Sequence, residues 1–129
     1  MKEKRYLLWK KFKMEEEIKK IIEENPVALA TIDNEGKPYV IAVASVKVKD
    51  NEIIITNNYM KKTIENLKNS PNVSLVVWNK DLEGYKIQGI AEYFSEGEFF
   101  DFVKSLEENK NEPCKGVIVI EINEIKKCV

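Results

Sequence analysis

Six apolar runs of strand length, each bounded by turn residues or a helix stop, constrain this chain more than any other feature. They are VALATID from Val27, PYVIAVASVKVKD from Pro38, EIIIT from Glu52 to Thr56, NVSLVVW from Asn72 to Trp78, YKIQGIAEYFS from Tyr85 to Ser95, and KGVIVIEI from Lys115 to Ile122. Short runs rich in Val and Ile and closed off by Gly, Asp and Asn read as strands that must bury at least one face. Asp33, Asn34, Glu35 and Gly36 supply the turn of a hairpin, and Asp50–Asn51 turns the chain again, so the first three strands form a meander. Helical spacing fills the gaps. Met14, Ile18, Ile21 and Ile22 mark a helix over 15–24 that Asn25–Pro26 stops. Met60, Ile64 and Leu67 mark a second over 60–68, ended by Ser70–Pro71, and Phe99, Phe102, Val103 and Leu106 mark a third over 98–108. Six strands with helices tucked around them predict a mainly β fold, a small closed or split antiparallel barrel. At 129 residues the chain holds about one domain.

Charge and composition remove several function classes. A net charge of -1 excludes a nucleic-acid binder that depends on overall positive charge. The sequence contains no His, and Arg5 is its sole Arg, which excludes Ser-His-Asp chemistry, histidine metal sites and bidentate Arg clamps in the body of the domain. Cys114 and Cys128 are too few for a disulfide scaffold and read as free thiols in a reducing compartment, with a disulfide between them as the alternative. Neither a signal-peptide core nor a membrane span is present, and the cytoplasm is the expected location. The acidic runs Glu15–Glu17 and Glu107–Glu108 read as solvated helix faces.

Residues 1–13 differ from the rest. Six positive charges stand against Glu3 alone, and Leu8, Trp9 and Phe12 fall at helical spacing. Such a basic amphipathic arm either meets an anionic partner or lays its apolar stripe over the domain or a second copy. The main domain then spans 14–129.

The most informative polar residues open the second helix of that domain. Lys61 and Lys62 fall in its first turn, where the positive end of the helix dipole disfavours cations. Asn57 and Asn58 can cap it, Thr63 can offer a hydroxyl, and free N–H groups point outward, which together describe a phosphate site. A solvated lysine pair is the competing reading. In the second run, Ala42, Val43, Ala44 and Ser45 place small side chains on both faces, leaving room for a flat ligand or for tight wall packing. Gly89, between Gln88 and Ile90, signals a bulge or a close backbone approach. Trp78, Tyr85, Tyr59 and Tyr93 are either ring-stacking partners or core and interface aromatics.

From Met14 to Val129 the order of elements and several local strings resemble the FMN-binding split β-barrel proteins of the pyridoxamine 5′-phosphate oxidase-like superfamily, in particular its small FMN-binding and flavin reductase-like members. The resemblance is carried by NPVALATIDNEGKPYVIAV from Asn25, ITNNYMKKTIENLKNSPNVSLVVW from Ile55, YKIQGIAEYFSEGEFFDF from Tyr85 and KGVIVIEINEI from Lys115. It implies a six-stranded antiparallel split barrel and a homodimer with two FMN molecules in grooves at the subunit interface. By the same resemblance, Lys61, Lys62 and Thr63 hold the FMN phosphate. Thr56, Asn57, Asn58, Tyr59 and Met60 line the ring and ribityl chain, and Ile41, Ala42, Val43 and Ala44 offer backbone hydrogen bonds to the ring edge. Trp78, Gln88 and Gly89 reach the flavin held mainly by the other subunit.

The chain departs from pyridoxamine phosphate oxidases proper, which the resemblance pictures with substrate-binding arginines and a C-terminal Arg-x-His motif. Here the sequence closes with EINEIKKCV, so that activity is not expected, and heme-utilisation relatives that lean on His are disfavoured too. The expected function is a small FMN-dependent oxidoreductase or electron carrier with no catalytic side chain, because the flavin carries the redox chemistry. The alternatives are a non-enzymatic flavin-binding or sensor module, and a reductase using the deazaflavin F420 on the same fold.

Overall fold

A computed structural model describes residues 15–128. The basic arm of residues 1–13 lies outside the described residues. Among the described residues, three α-helices and seven strands follow one another in the order α1 (Glu16–Glu24), β1 (Val27–Ile32), β2 (Pro38–Val43), β3 (Val46–Lys49), β4 (Glu52–Asn57), α2 (Lys62–Asn69), β5 (Asn72–Trp78), β6 (Gly84–Phe94), α3 (Glu98–Lys104), a 3-10 turn (Glu107–Asn109) and β7 (Gly116–Lys127).

All strands belong to one antiparallel sheet in the order β2-β1-β5-β6-β7-β4-β3. The two edge strands, β2 and β3, are neighbours in sequence, separated by Ala44 and Ser45 alone. Three peptide steps span at most about 11 Å, so the sheet has to curl until its edges meet at this point. The result is a split β-barrel. The sequence predicts six strands with Pro38–Asp50 as one long strand; the structure breaks that run at Ala44–Ser45 and thereby has seven. The meander pairings survive the break, since the first half pairs with β1 and the second with β4.

Local chemistry sets each boundary. In the β1–β2 hairpin the Asp33 carboxylate accepts the backbone N–H groups of Glu35 (2.8 Å) and Lys37 (2.9 Å), and Gly36 takes the positive φ of 79° that the turn demands. The helix expected over 60–68 begins at Lys62, with Lys61 at its N-cap, and two further boundaries move. The third helix stops at Lys104 and continues only as a separate 3-10 turn, because Leu106 is extended between them. The last strand runs five residues past Ile122 to Lys127: its apolar pattern ends there, but β6 offers backbone partners as far as Tyr85.

The barrel interior is filled by alternating side chains, among them Leu29, Ile53, Ile55, Ile87, Ile118 and Ile120, all 2% exposed or less. Ile22 of α1 and Met60, Ile64 and Leu67 around α2 pack against the same core. The central Ile54 of β4 faces the other way, into a second cluster with Val103, Val117, Val119 and the phenylalanines of α3. That cluster explains why the EIIIT run is apolar on both faces. Both cysteines are free; Cys114 packs on this second cluster, and burial raises its thiol pKa. Gly89 sits where the β6–β7 register shifts, and a Cβ there would lie 2.5 Å from the Glu121 carbonyl oxygen and 2.7 Å from an Ile120 methyl. Both sequence readings of Gly89, bulge and close approach, hold at once.

Candidate functional site

The two edges of the curled sheet are treated differently. Edge strand β3 has an N–H group, that of Val48, taken at 2.7 Å by the Glu23 carboxylate of α1. Edge strand β2 pairs with β1 on one side and, among the described residues, has no strand partner on the other. Against it lies a groove of ≈ 450 Å³, lined by Tyr39 and Ile41–Ala44 from β2 and its end, Thr56 from β4, Asn58, Tyr59, Met60 and Lys61 from the following loop, and Lys62 and Thr63 from the first turn of α2. Successive strand residues point to opposite faces, so four in a row can line one groove only if it meets the strand edge-on. The outward row of β2 backbone donors and acceptors is thereby turned toward the groove.

At the other end of the groove α2 begins without a cap. Lys61 occupies the N-cap position and makes no side-chain cap hydrogen bond. Neither asparagine serves as the cap that the sequence suggests. Asn57 is buried beneath the loop, where its Oδ1 accepts the Met60 N–H at 2.8 Å and its Nδ2 donates to the Tyr93 hydroxyl at 2.8 Å. Asn58 turns the other way and donates to the Pro113 carbonyl at 3.0 Å. An uncapped helix start carries a partial positive charge, and exposed Lys61 and Lys62 add two formal ones. Among the described residues neither lysine has a carboxylate within ion-pair distance. The Asp33 carboxyl has a lowered pKa, chiefly through the Lys37 N–H, with the Lys62 charge contributing. Tyr59, exposed at the groove mouth, donates its hydroxyl to Glu112 at 2.5 Å, a bond that raises its phenolic pKa.

Eleven of the residues expected at the site thus line one groove: Ile41, Ala42, Val43, Ala44, Thr56, Asn58, Tyr59, Met60, Lys61, Lys62 and Thr63. Asn57 lies under it as a loop anchor. Trp78, Gln88 and Gly89 are not in it. Trp78 and Gln88 project from the outer face of β5 and β6, and Gly89 serves the bulge. Tyr85 and Tyr93 pack against the core. Sequence reasoning missed Tyr39, although its place two residues before Ile41 puts it on the same strand face. It also missed Glu108, read as solvated but accepting the Ser45 hydroxyl at 2.9 Å and pairing with Lys47. No sequence spacing joins residues 45 and 108; only the fold does. Among the described residues no cluster of His, Cys, Asp and Glu could hold a metal, and no helix is long and apolar enough to cross a membrane.

The fold and the groove chemistry suit a phosphate-bearing, largely planar ligand: cations and free amides at one end, small and apolar walls with an open strand edge at the other, and Thr56 and Asn58 between. Known proteins agree on the fold. A protein of Methanocaldococcus jannaschii with no characterised activity is 36% identical over 119 residues, covering 88% of this chain and 79% of its own. The crystal structure of HupZ from Group A Streptococcus superposes with a TM-score of 0.83 at 23% identity, covering 89% of this chain and 94% of that one. An FMN-binding protein from Syntrophomonas wolfei superposes with a TM-score of 0.75 at 20% identity, covering 98% and 94%. The pyridoxamine 5′-phosphate oxidase family model matches residues 14–128. The chain belongs to the pyridoxamine 5′-phosphate oxidase family.

Proposed function

We propose that this chain binds FMN in the groove beside β2 and works as a small flavin oxidoreductase or electron carrier. One observation carries the reading: the unpaired edge of β2 and the uncapped, doubly lysine-bearing start of α2 face the same groove. Lys61, Lys62 and the Thr63 amide would hold the phosphate; Thr56, Asn58, Tyr59 and Met60 would line the ribityl chain and ring; the Ile41–Ala44 backbone would meet the ring edge. The bound flavin would supply the electron chemistry. The residues of the chain bind it, orient it and limit its access to water.

The outer face of β1, β2, β5 and β6 supports a homodimer. Ala28, Ala30, Ser74 and Gln88 surround a shallow depression of ≈ 590 Å³, with Val40, 64% exposed, on its rim. Exposed Trp78 shares the outward side of β5 with Ser74 and Val76. A second copy on this face would cover the exposed Val40 and Trp78 together with the charged rim of Lys86, Glu124 and Lys126, and bring Trp78 and Gln88 toward the partner's flavin, with Gly89 shaping the strand beneath them.

The test is an absorption spectrum of the purified protein, then titration of its flavin-free form with FMN and, separately, with F420. Saturation by FMN at one per subunit supports the reading. Binding of F420 alone assigns the groove to a deazaflavin, and binding of neither removes the flavin function. Faster reduction of bound than of free FMN by NADH or NADPH separates an oxidoreductase from a non-enzymatic module.

A further inference from the structure

Against Thr56, four side chains from three separate parts of the chain form one hydrogen-bonded series. The Asn109 amide nitrogen donates to the Val103 carbonyl (2.8 Å) and to Thr56 Oγ1 (2.9 Å). Thr56 Oγ1 donates to Ser45 Oγ at 3.1 Å, and Ser45 Oγ donates to Glu108 Oε2 at 2.9 Å. Lys47 holds the other oxygen of Glu108 at 3.3 Å. Thr56, Ser45 and Asn109 are all 5% exposed or less.

The direction of this series is forced by what each group is able to do. A carboxylate only accepts, so Ser45 commits its single proton to Glu108. Ser45 Oγ is then available to Thr56 only as an acceptor, which commits the Thr56 proton as well. The Asn109 atom that meets Thr56 also meets a carbonyl oxygen, and therefore is the nitrogen. Thr56 accepts from Asn109 with one lone pair and retains one more. Thr56 is also a wall of the groove.

We propose that the Asn109–Thr56–Ser45–Glu108 series presents Thr56 to the groove purely as a hydrogen-bond acceptor. A ligand group that hydrogen-bonds Thr56 Oγ1 is therefore an N–H or O–H donor, and Ser45, Glu108 and Asn109 are positioning residues that fix this polarity. The identity of the ligand as FMN rests on the function proposed above; the polarity of Thr56 rests on the bonds just described. The oxidised flavin ring has a single N–H donor and the ribityl chain several O–H donors, so the arrangement discriminates against ligands that offer only acceptors at this point. Apolar residues would fill the same volume without imposing a direction.

The test is FMN affinity, by fluorescence titration, of wild type, Thr56→Val, Ser45→Ala and Glu108→Ala, and of each of the last two combined with Thr56→Val. Ser45→Ala removes the acceptor for the Thr56 proton. Glu108→Ala acts from the surface, since the Glu108 side chain is 40% exposed, and keeps the test open if the buried change perturbs folding. Each single change is expected to weaken FMN binding about fivefold, the cost of one mismatched hydrogen bond. In the Thr56→Val background, Ser45→Ala and Glu108→Ala are expected to add nothing, because they act only through Thr56. Equal losses with and without Thr56 overturn the proposal, as does wild-type affinity in both single variants. Absence of FMN binding by the wild-type protein overturns the flavin reading along with it.

Discussion

Replacing Lys62 by Glu separates binding from folding, because binding responds strongly and folding hardly at all. Lys62 is exposed at the first position of α2 and has no carboxylate partner within ion-pair distance among the described residues. Loss of its charge therefore breaks no structural ion pair. An acid in the first turn of a helix interacts favourably with the helix dipole, by about 0.3–1 kcal/mol, while the Asp33 carboxylate, which the Lys62 charge favours, would repel it, so the thermal midpoint is expected to change little. Binding falls. A charge-assisted hydrogen bond to a phosphate contributes about 1.5–3 kcal/mol, and its replacement by a like charge adds repulsion. A loss of at least about 2 kcal/mol, or about thirtyfold in Kd, is expected. The site is solvent-exposed, so the gap between wild type and variant should narrow as salt is raised. Isothermal titration with FMN at two ionic strengths, alongside thermal unfolding, measures both quantities. Unchanged affinity would refute the phosphate assignment, and a large fall in stability would refute the claim that Lys62 makes no structural ion pair.

Further outcomes follow from other parts of the structure. Ala44→Phe, at an exposed position of the groove wall, is expected to abolish FMN saturation while circular dichroism stays native; normal binding would place the ligand elsewhere. Gly89→Ala drives a Cβ into the Glu121 carbonyl and should cost about 1–3 kcal/mol in urea unfolding, as overpacking does, whereas a neutral effect would mean that the bulge is freely adjustable. Glu52 has a raised pKa, through burial first and then through Glu121, which lies directly opposite it on β7. A carboxyl whose folded pKa is raised destabilises the fold above that pKa and ceases to do so once protonated. Glu52→Gln should therefore raise the thermal midpoint at neutral pH, with the advantage disappearing as pH falls through the carboxyl range; a constant advantage would contradict the charge origin.

The strands, turns and helix stops could be read from the chain because their causes are local. Alternation, Asp33–Gly36 at the hairpin, and Pro26 and Pro71 after the helices act over a few residues. The lysine pair at the start of α2 could be read for the same reason, since a cation at the positive end of a helix is out of place wherever the helix packs. Charge and composition also set firm limits: without His in these 129 residues, the chemistry cannot rest on imidazole.

What required the tertiary structure depends on contacts between distant residues. The small residues Ala42–Ser45 indicate close approach, yet only sheet closure shows that the strand breaks there and leaves one edge of β2 without a strand partner among the described residues. Asn57 and Asn58 are chemically identical neighbours, and it is the position of Tyr93, 36 residues away, that turns the first inward beneath the groove. The extension of β7 to Lys127 comes from backbone partners on β6, which a charged, alternating segment does not advertise. Glu108 looked like solvent-facing charge until folding brought Ser45, 63 residues earlier in sequence, within 2.9 Å of it. The sequence by itself determined the elements and the charge at the start of α2, since both follow from short-range sterics and dipoles. The groove, its open strand edge and the direction of the hydrogen bonds under it were decided by the fold, which sets the distances on which those interactions depend.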